Sequence, residues 1–219
     1  MKSLPANYEC WITKKIIQRG GSISFYEYMN VVLNDPANGY YGSGKNILGP
    51  KGDFVTSPSM SEDFSFLLSK QVEEWLVQLR NKDFYNGKLF VMECGAGDGS
   101  LLSGLIQYFI FSNKDFLENI SFIIVEPNRG MIKKQKRKLE KFINLGIEIL
   151  WKSLEEFDNQ SFNGIILANE VLDALPVERI VVEEGRLYRQ VVSLDNKTGK
   201  LYFDKDSITK KLEKSLASA

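Results

Sequence analysis

The stretch Leu89-Phe90-Val91-Met92-Glu93-Cys94-Gly95-Ala96-Gly97-Asp98-Gly99 constrains this chain more than any other. Four apolar residues run together, an acid follows, and three glycines then fall at alternate positions. A short apolar run that ends in glycines reads as a strand buried on both faces, turning sharply into a helix. Glycines at 95, 97 and 99 free the backbone for such a turn and let a ligand approach it closely. Their spacing is G-x-G-x-G, not the G-x-G-x-x-G that cradles a pyrophosphate. Alone, the cluster has a plain alternative reading as a tight strand-to-helix turn.

The same alternation continues downstream. Residues 101–111 read as a helix, Phe122-Ile123-Ile124-Val125 as a second buried strand, and 131–142 as a helix. Ile147-Glu148-Ile149-Leu150 and Gly164-Ile165-Ile166-Leu167-Ala168 read as third and fourth strands. Apolar strands separated by helices imply an α/β fold whose parallel sheet is covered on both faces. Such sheets bind ligands beyond the carboxyl ends of their strands. Two acids stand there. Glu126 ends the second strand, where a carboxylate can accept hydrogen bonds from both hydroxyls of a ribose; its plain alternative is a solvated acid. Glu93 precedes the glycines, placed for the cationic end of a sulfonium cofactor. The turn contains no basic residue, which favours such a cofactor over a pyrophosphate. Beyond the fourth strand comes Ala168-Asn169-Glu170-Val171-Leu172-Asp173-Ala174-Leu175-Pro176. Asn169 can offer both halves of its amide. If the chain turns helical here, Glu170 and Asp173 share a face; acids that cap a helix are the competing reading.

Either side of this core the pattern changes. Residues 8–34 read as helical, with Ser24 and Glu27 at capping-box spacing. Residues 34–60 hold Pro36 and many glycines and read as a loop, and 62–80 as an amphipathic helix. After Pro176, segments 179–183 and 187–193 read as a β-hairpin about Glu184-Gly185-Arg186, followed by a turn at 196–199, a short strand at 200–203 and a weak polar helix over 207–219. The run Lys133-Lys134-Gln135-Lys136-Arg137-Lys138 reads as the solvated face of a helix.

Composition excludes several chemistries. The chain has 28 basic and 28 acidic residues, so its net charge gives no reason to expect a nucleic-acid or anionic-membrane partner. It has no histidine, which removes Ser-His-Asp triads and histidine metal sites. Its two cysteines, Cys10 and Cys94, are not expected to pair, because Cys94 lies in the turn. The apolar stretch 101–111 is too short to span a bilayer, so no membrane insertion is expected and a cytoplasmic location is the default.

Five segments, Gly21 to Met29, Asp35 to Tyr41, Gly52 to Pro58, Glu93 to Gly99 and Ala168 to Pro176, together resemble the MidA family of S-adenosylmethionine-dependent methyltransferases. Mitochondrial members are arginine methyltransferases that assist assembly of respiratory complex I. The resemblance implies a Rossmann-like methyltransferase core with an N-terminal helical and loop extension and a β-hairpin insertion. It divides the chain into 1–86 (extension and cofactor lid), 87–178 (core) and 179–219 (hairpin and tail). It implies S-adenosyl-L-methionine as cofactor and an arginine of a protein substrate as acceptor, with a respiratory-complex subunit as the candidate. The lid would bring Asp53, Phe54 and Thr56 to the cofactor, joining Glu93, Gly95, Gly97, Glu126, Asn169 and Ser153, which follows the third strand. Glu170, Asp173 and Asn169 would be catalytic. The parallel strands are fewer than a full methyltransferase sheet holds, so the chain is expected to be C-terminally truncated relative to the family. The alternative is an inactive assembly or interaction protein that keeps the fold. A nucleotide-dependent oxidoreductase is disfavoured by the glycine spacing.

Overall fold

A computed structural model describes residues 10–45, 52, 61–81, 87–112, 117–157 and 162–217. These residues form two compact units, residues 40–173 and residues 1–39 joined with 174–219.

The unit of residues 40–173 is built on a four-stranded parallel sheet. Its strands are β2 (Leu89–Cys94), β3 (Ile120–Val125), β4 (Ile149–Lys152) and β5 (Gly164–Leu167), in the order β4-β3-β2-β5. Phe90 pairs with Ser121 and with Gly164, and Phe122 with Ile149, so the strands run in register. All four expected strands are present. The chain steps outward from β2 to β3 to β4, then returns to the far side of β2, and this reversal leaves a crevice at the carboxyl ends of β2 and β5.

Three long helices cover this sheet: α3 (Glu62–Arg80), α4 (Ser100–Ser112) and α5 (Arg129–Ile143). Ser61 caps α3 by accepting from the Asp63 N–H at 3.0 Å. Helix α3 buries Ser65, Ser69, Val72 and Leu76, and α4 comes close at Ser65. At Gly104 an added Cβ would lie 2.3 Å from the Ser65 Cβ, so that crossing admits no larger residue. Leu102, Leu105, Ile106 and Phe109 of α4 pack with Val91, Phe122 and Ile124 of the sheet and with Leu139 and Phe142 of α5. Each side chain of this size fully buried contributes about 1.5–3 kcal/mol. Among the described residues no helix is long and apolar enough to cross a membrane.

The other unit joins residues 10–39 with residues 174–217. Helices α1 (Trp11–Gln18) and α2 (Phe25–Asn34) flank β1 (Ser22–Ser24), so the helical reading of 8–34 needs correction. Gly20 and Gly21 both take positive φ, 92° and 91°, which ends α1 and starts an extended segment. Strand β1 pairs antiparallel with β7 (Arg186–Leu194), matching Ile23 to Val192. β7 also pairs with β6 (Ile180–Glu183) and β8 (Leu201–Ser207). The expected hairpin is there, turning at Glu184 and Gly185, whose φ values of 49° and 74° suit a two-residue primed turn. Ile12, Ile16, Ile23, Val192 and Leu194 form its core. Helix α6 (Lys210–Ala217) ends the described chain.

Candidate functional site

The carboxyl ends of the parallel strands are level. Cys94 pairs with Val125, Val125 with Lys152, and Glu93 with Leu167. The residues after each strand therefore meet along one rim: the glycine turn, Glu126, Ser153 and Asn169.

The glycine turn is held from several sides. Gly95 donates its N–H to the Val125 carbonyl at 2.9 Å, and Gly99 to that of Ala96 at 2.7 Å. Gly95 has a φ of 64°, and a Cβ there would sit 3.1 Å from Val171 Cγ2. Backbone conformation and the close approach of the segment after β5 thus both require glycine. Asp98 accepts from the Ser100 N–H at 3.0 Å and its hydroxyl at 2.6 Å, and pairs with Lys138 at 2.5 Å. Burial alone would raise the Asp98 carboxyl, but the hydrogen bonds from Lys138 and Ser100 outweigh it and hold the group below its ordinary value.

Glu93 behaves oppositely. It is 4% exposed, and its Oε2 has no hydrogen-bond partner among the described residues. Burial pushes its pKa up to about 8; the Leu102 backbone N–H opposes that shift and the charge of Asp98 adds to it. A buried acceptor in want of a donor suits a ligand's ammonium or hydroxyl group. Cys94 beside it is a free, half-buried thiol, raised by burial and then by Glu93. Cys10 is also free, as expected.

Glu126 is held at both oxygens. Oε1 accepts from the Asn128 N–H at 2.9 Å and Oε2 from the Gln135 Nε2 at 3.1 Å. Burial raises its pKa, and those two donors oppose the shift. The same Gln135 Nε2 donates to the Gly97 carbonyl at 2.9 Å, so the acid and the glycine turn share one donor. Trp151 Nε1 in turn donates to the Gln135 Oε1 at 3.0 Å. The solvated face expected of the run 133–138 needs correction at Gln135, which is fully buried although lysines and an arginine surround it. Its signal was position: α5 buries Met131, Gln135, Leu139 and Phe142, and an amide stands in that otherwise apolar stripe.

Tyr41 is a second residue passed over. Its hydroxyl is raised first by burial, then by the charges of Asp173 and Glu126, so the three groups share a neighbourhood. The loop carrying it lies backbone to backbone on α5: a Cβ at Gly130 would come 2.4 Å from the Gly44 N.

The remaining expected residues fall unevenly. Asn169 is half-buried just past β5. Glu170 has a φ of 53°, and only a short 3-10 turn, Leu172–Ala174, follows. The helical face expected to carry Glu170 and Asp173 is therefore not formed, because a left-handed residue interrupts any helix through it. Both acids are exposed. Ser153 is exposed on the rim, its N–H donating to Glu156 Oε1 at 2.7 Å. Asp53, Phe54 and Thr56 lie outside the described residues. The described residues contain no cluster of acids or cysteines able to hold a metal ion.

Comparison with known proteins agrees with this geometry. Residues 67–219 match the family described as "Putative S-adenosyl-L-methionine-dependent methyltransferase". The chain belongs to this family. Its curated relatives include protein arginine methyltransferase NDUFAF7, mitochondrial, of Homo sapiens, 31% identical over 182 residues, covering 74% of this chain and 40% of the relative. The Caenorhabditis elegans homolog is 27% identical over 209 residues, covering 86% and 46%. A Burkholderia thailandensis crystal structure bound to S-adenosyl-homocysteine has 26% identity and a TM-score of 0.74, and covers 98% of this chain and 56% of that one. The chain thus spans about half the length of the relatives it matches. These relatives confirm the Rossmann-like methyltransferase fold. They also overturn the cytoplasmic expectation, because the curated relatives are named as mitochondrial. That expectation rested on the lack of a long apolar stretch, which proteins of many compartments share.

Proposed function

We propose that this chain holds S-adenosyl-L-methionine at the rim of its parallel sheet, in a protein that methylates an arginine of a protein acceptor. The observation that carries the reading is the shared donor of Gln135, which sets Glu126 beside the glycine turn at 3.1 and 2.9 Å. An acid at that place suits the two ribose hydroxyls, and the buried, unpartnered Oε2 of Glu93 suits a donor at the methionine end. Gly95, Gly97, Ser153 and Asn169 complete the proposed contacts. Asp53, Phe54 and Thr56 stay in the set on the family resemblance alone.

The bound cofactor supplies an electrophilic methyl on a sulfonium sulfur. In the reaction the S–CH3 bond breaks, its electron pair returns to sulfur, and a guanidine nitrogen gains the methyl and loses a proton. Positioning supplies most of the acceleration in such a transfer. Glu170, Asp173 and Asn169 are the residues proposed to orient the guanidinium, with a carboxylate receiving the proton. The names of the relatives support arginine as acceptor. A respiratory-complex subunit is the acceptor to try first, on the family resemblance.

Calorimetric titration of S-adenosyl-homocysteine into the chain tests the reading. Saturable binding is expected, lost in Glu126→Ala and in Gly97→Leu. A folded chain that takes up no S-adenosyl-homocysteine would refute it.

A further inference from the structure

Gln135 is fully buried, on a stripe of α5 where an apolar side chain would pack without needing partners. Its amide is instead used in full. Nε2 donates to the Gly97 carbonyl and to Glu126 Oε2, while Oε1 accepts from the Trp151 indole at 3.0 Å. An indole N–H is a donor only, so Trp151 fixes which end of the amide faces β4. Both hydrogens of Nε2 must then point at the glycine turn and at Glu126. The Asn128 N–H holds the other oxygen of Glu126 at 2.9 Å. The Asn128 side chain also hydrogen-bonds this carboxylate, whose two oxygens can accept about four bonds in all.

We infer that Gln135 is a positioning residue, oriented by Trp151, that sets the Glu126 carboxylate and the glycine turn at the separation a ribose requires. This rests on the cofactor reading above. Removing the amide leaves Glu126 buried with one donor fewer and leaves the Gly97 carbonyl unpartnered. S-adenosyl-homocysteine should therefore bind about tenfold or more weakly to Gln135→Met.

A merely structural glutamine would also weaken binding, so the test is a double-mutant cycle. S-adenosyl-homocysteine is titrated into wild type, Gln135→Met, Glu126→Gln and the double variant, beside an analogue lacking both ribose hydroxyls. The loss on Gln135→Met should appear with the full ligand and shrink towards nothing in the Glu126→Gln background. It should shrink likewise with the analogue. Equal loss in both backgrounds, or none in wild type, would overturn the inference while leaving the cofactor reading standing. No binding by wild type would overturn both. If Gln135→Met does not fold, Trp151→Phe keeps the glutamine and removes only what orients it. That variant should lose several-fold in affinity, again only where Glu126 and the ribose hydroxyls are both present.

Discussion

Glu93 shows how a single site residue should mark the stability of the whole chain. Burial raises its carboxyl from 4.5 to about 8. Below the lower value both folded and unfolded chains carry the proton. Between the two values the unfolded chain releases it and the folded chain keeps it, so stability falls as pH rises through this window. Above about 8 both are ionised and the contribution is level. Glu93→Gln should therefore gain stability relative to wild type as pH rises from 4.5 to 8, read from urea midpoints across that range. Parallel curves for the two proteins would mean that the carboxyl is not held protonated. The acids of the rim could be placed from sequence, since a strand-end acid beside glycines has a definite address. Gln135 could not: its role depends on Trp151, sixteen residues away, and on Gly97, thirty-eight away. Glu170 misled for a local reason, because its positive φ is imposed on a residue type that ordinarily prefers the right-handed region.

Among the elements, those that bury a periodic apolar face were legible and those stabilised by distant pairing were not. Helices α3, α4 and α5 and the four parallel strands lie close to the expected limits. Strand β1 escaped notice because its three residues are stabilised by β7, 171 residues away at the Ser22–Ser193 pair. The local signal beside it was correct. Ser24 caps α2 by accepting from the Glu27 N–H at 3.1 Å, and Glu27 Oε2 accepts from the Ser24 N–H at 3.1 Å. The cap also terminates the strand, so one residue ends β1 and begins α2. Ser24→Ala removes the hydroxyl that accepts from the Glu27 N–H and donates to Glu27 Oε2 at 3.2 Å, and should destabilise the chain by about 1 kcal/mol. Denaturant unfolding measures this directly. An unchanged midpoint would show that strand pairing alone sets the start of α2.

At the scale of the whole molecule, the strand order implies a gradient of local stability within each unit. In the unit of residues 40–173, β2 and β3 each have a strand on both sides, while β4 and β5 each have one among the described strands. Burial follows the same order. Val91 and Phe122 are fully buried, whereas Ile166 of β5 is 58% exposed. Amides with partners on both edges and covered faces exchange only through large openings, while an edge strand can open locally. Hydrogen exchange should therefore be slowest in β2 and β3 and measurably faster in β5. In the other unit, β7 should exchange slowest, since it pairs with β1 and β6 along one edge and with β8 along the other. The gradient bears on function because the proposed cofactor and acceptor contacts divide across it. Glu93, the glycine turn and Glu126 are anchored to β2 and β3, whereas Asn169, Glu170 and Asp173 follow the edge strand β5. S-adenosyl-homocysteine should then protect the β5 end and the 169–173 segment far more than the strands that hold the turn, because those strands are already slow. Equal protection of β2 and β5 without ligand would contradict the gradient. Ligand protection confined to β2 would place the 169–173 segment outside the site.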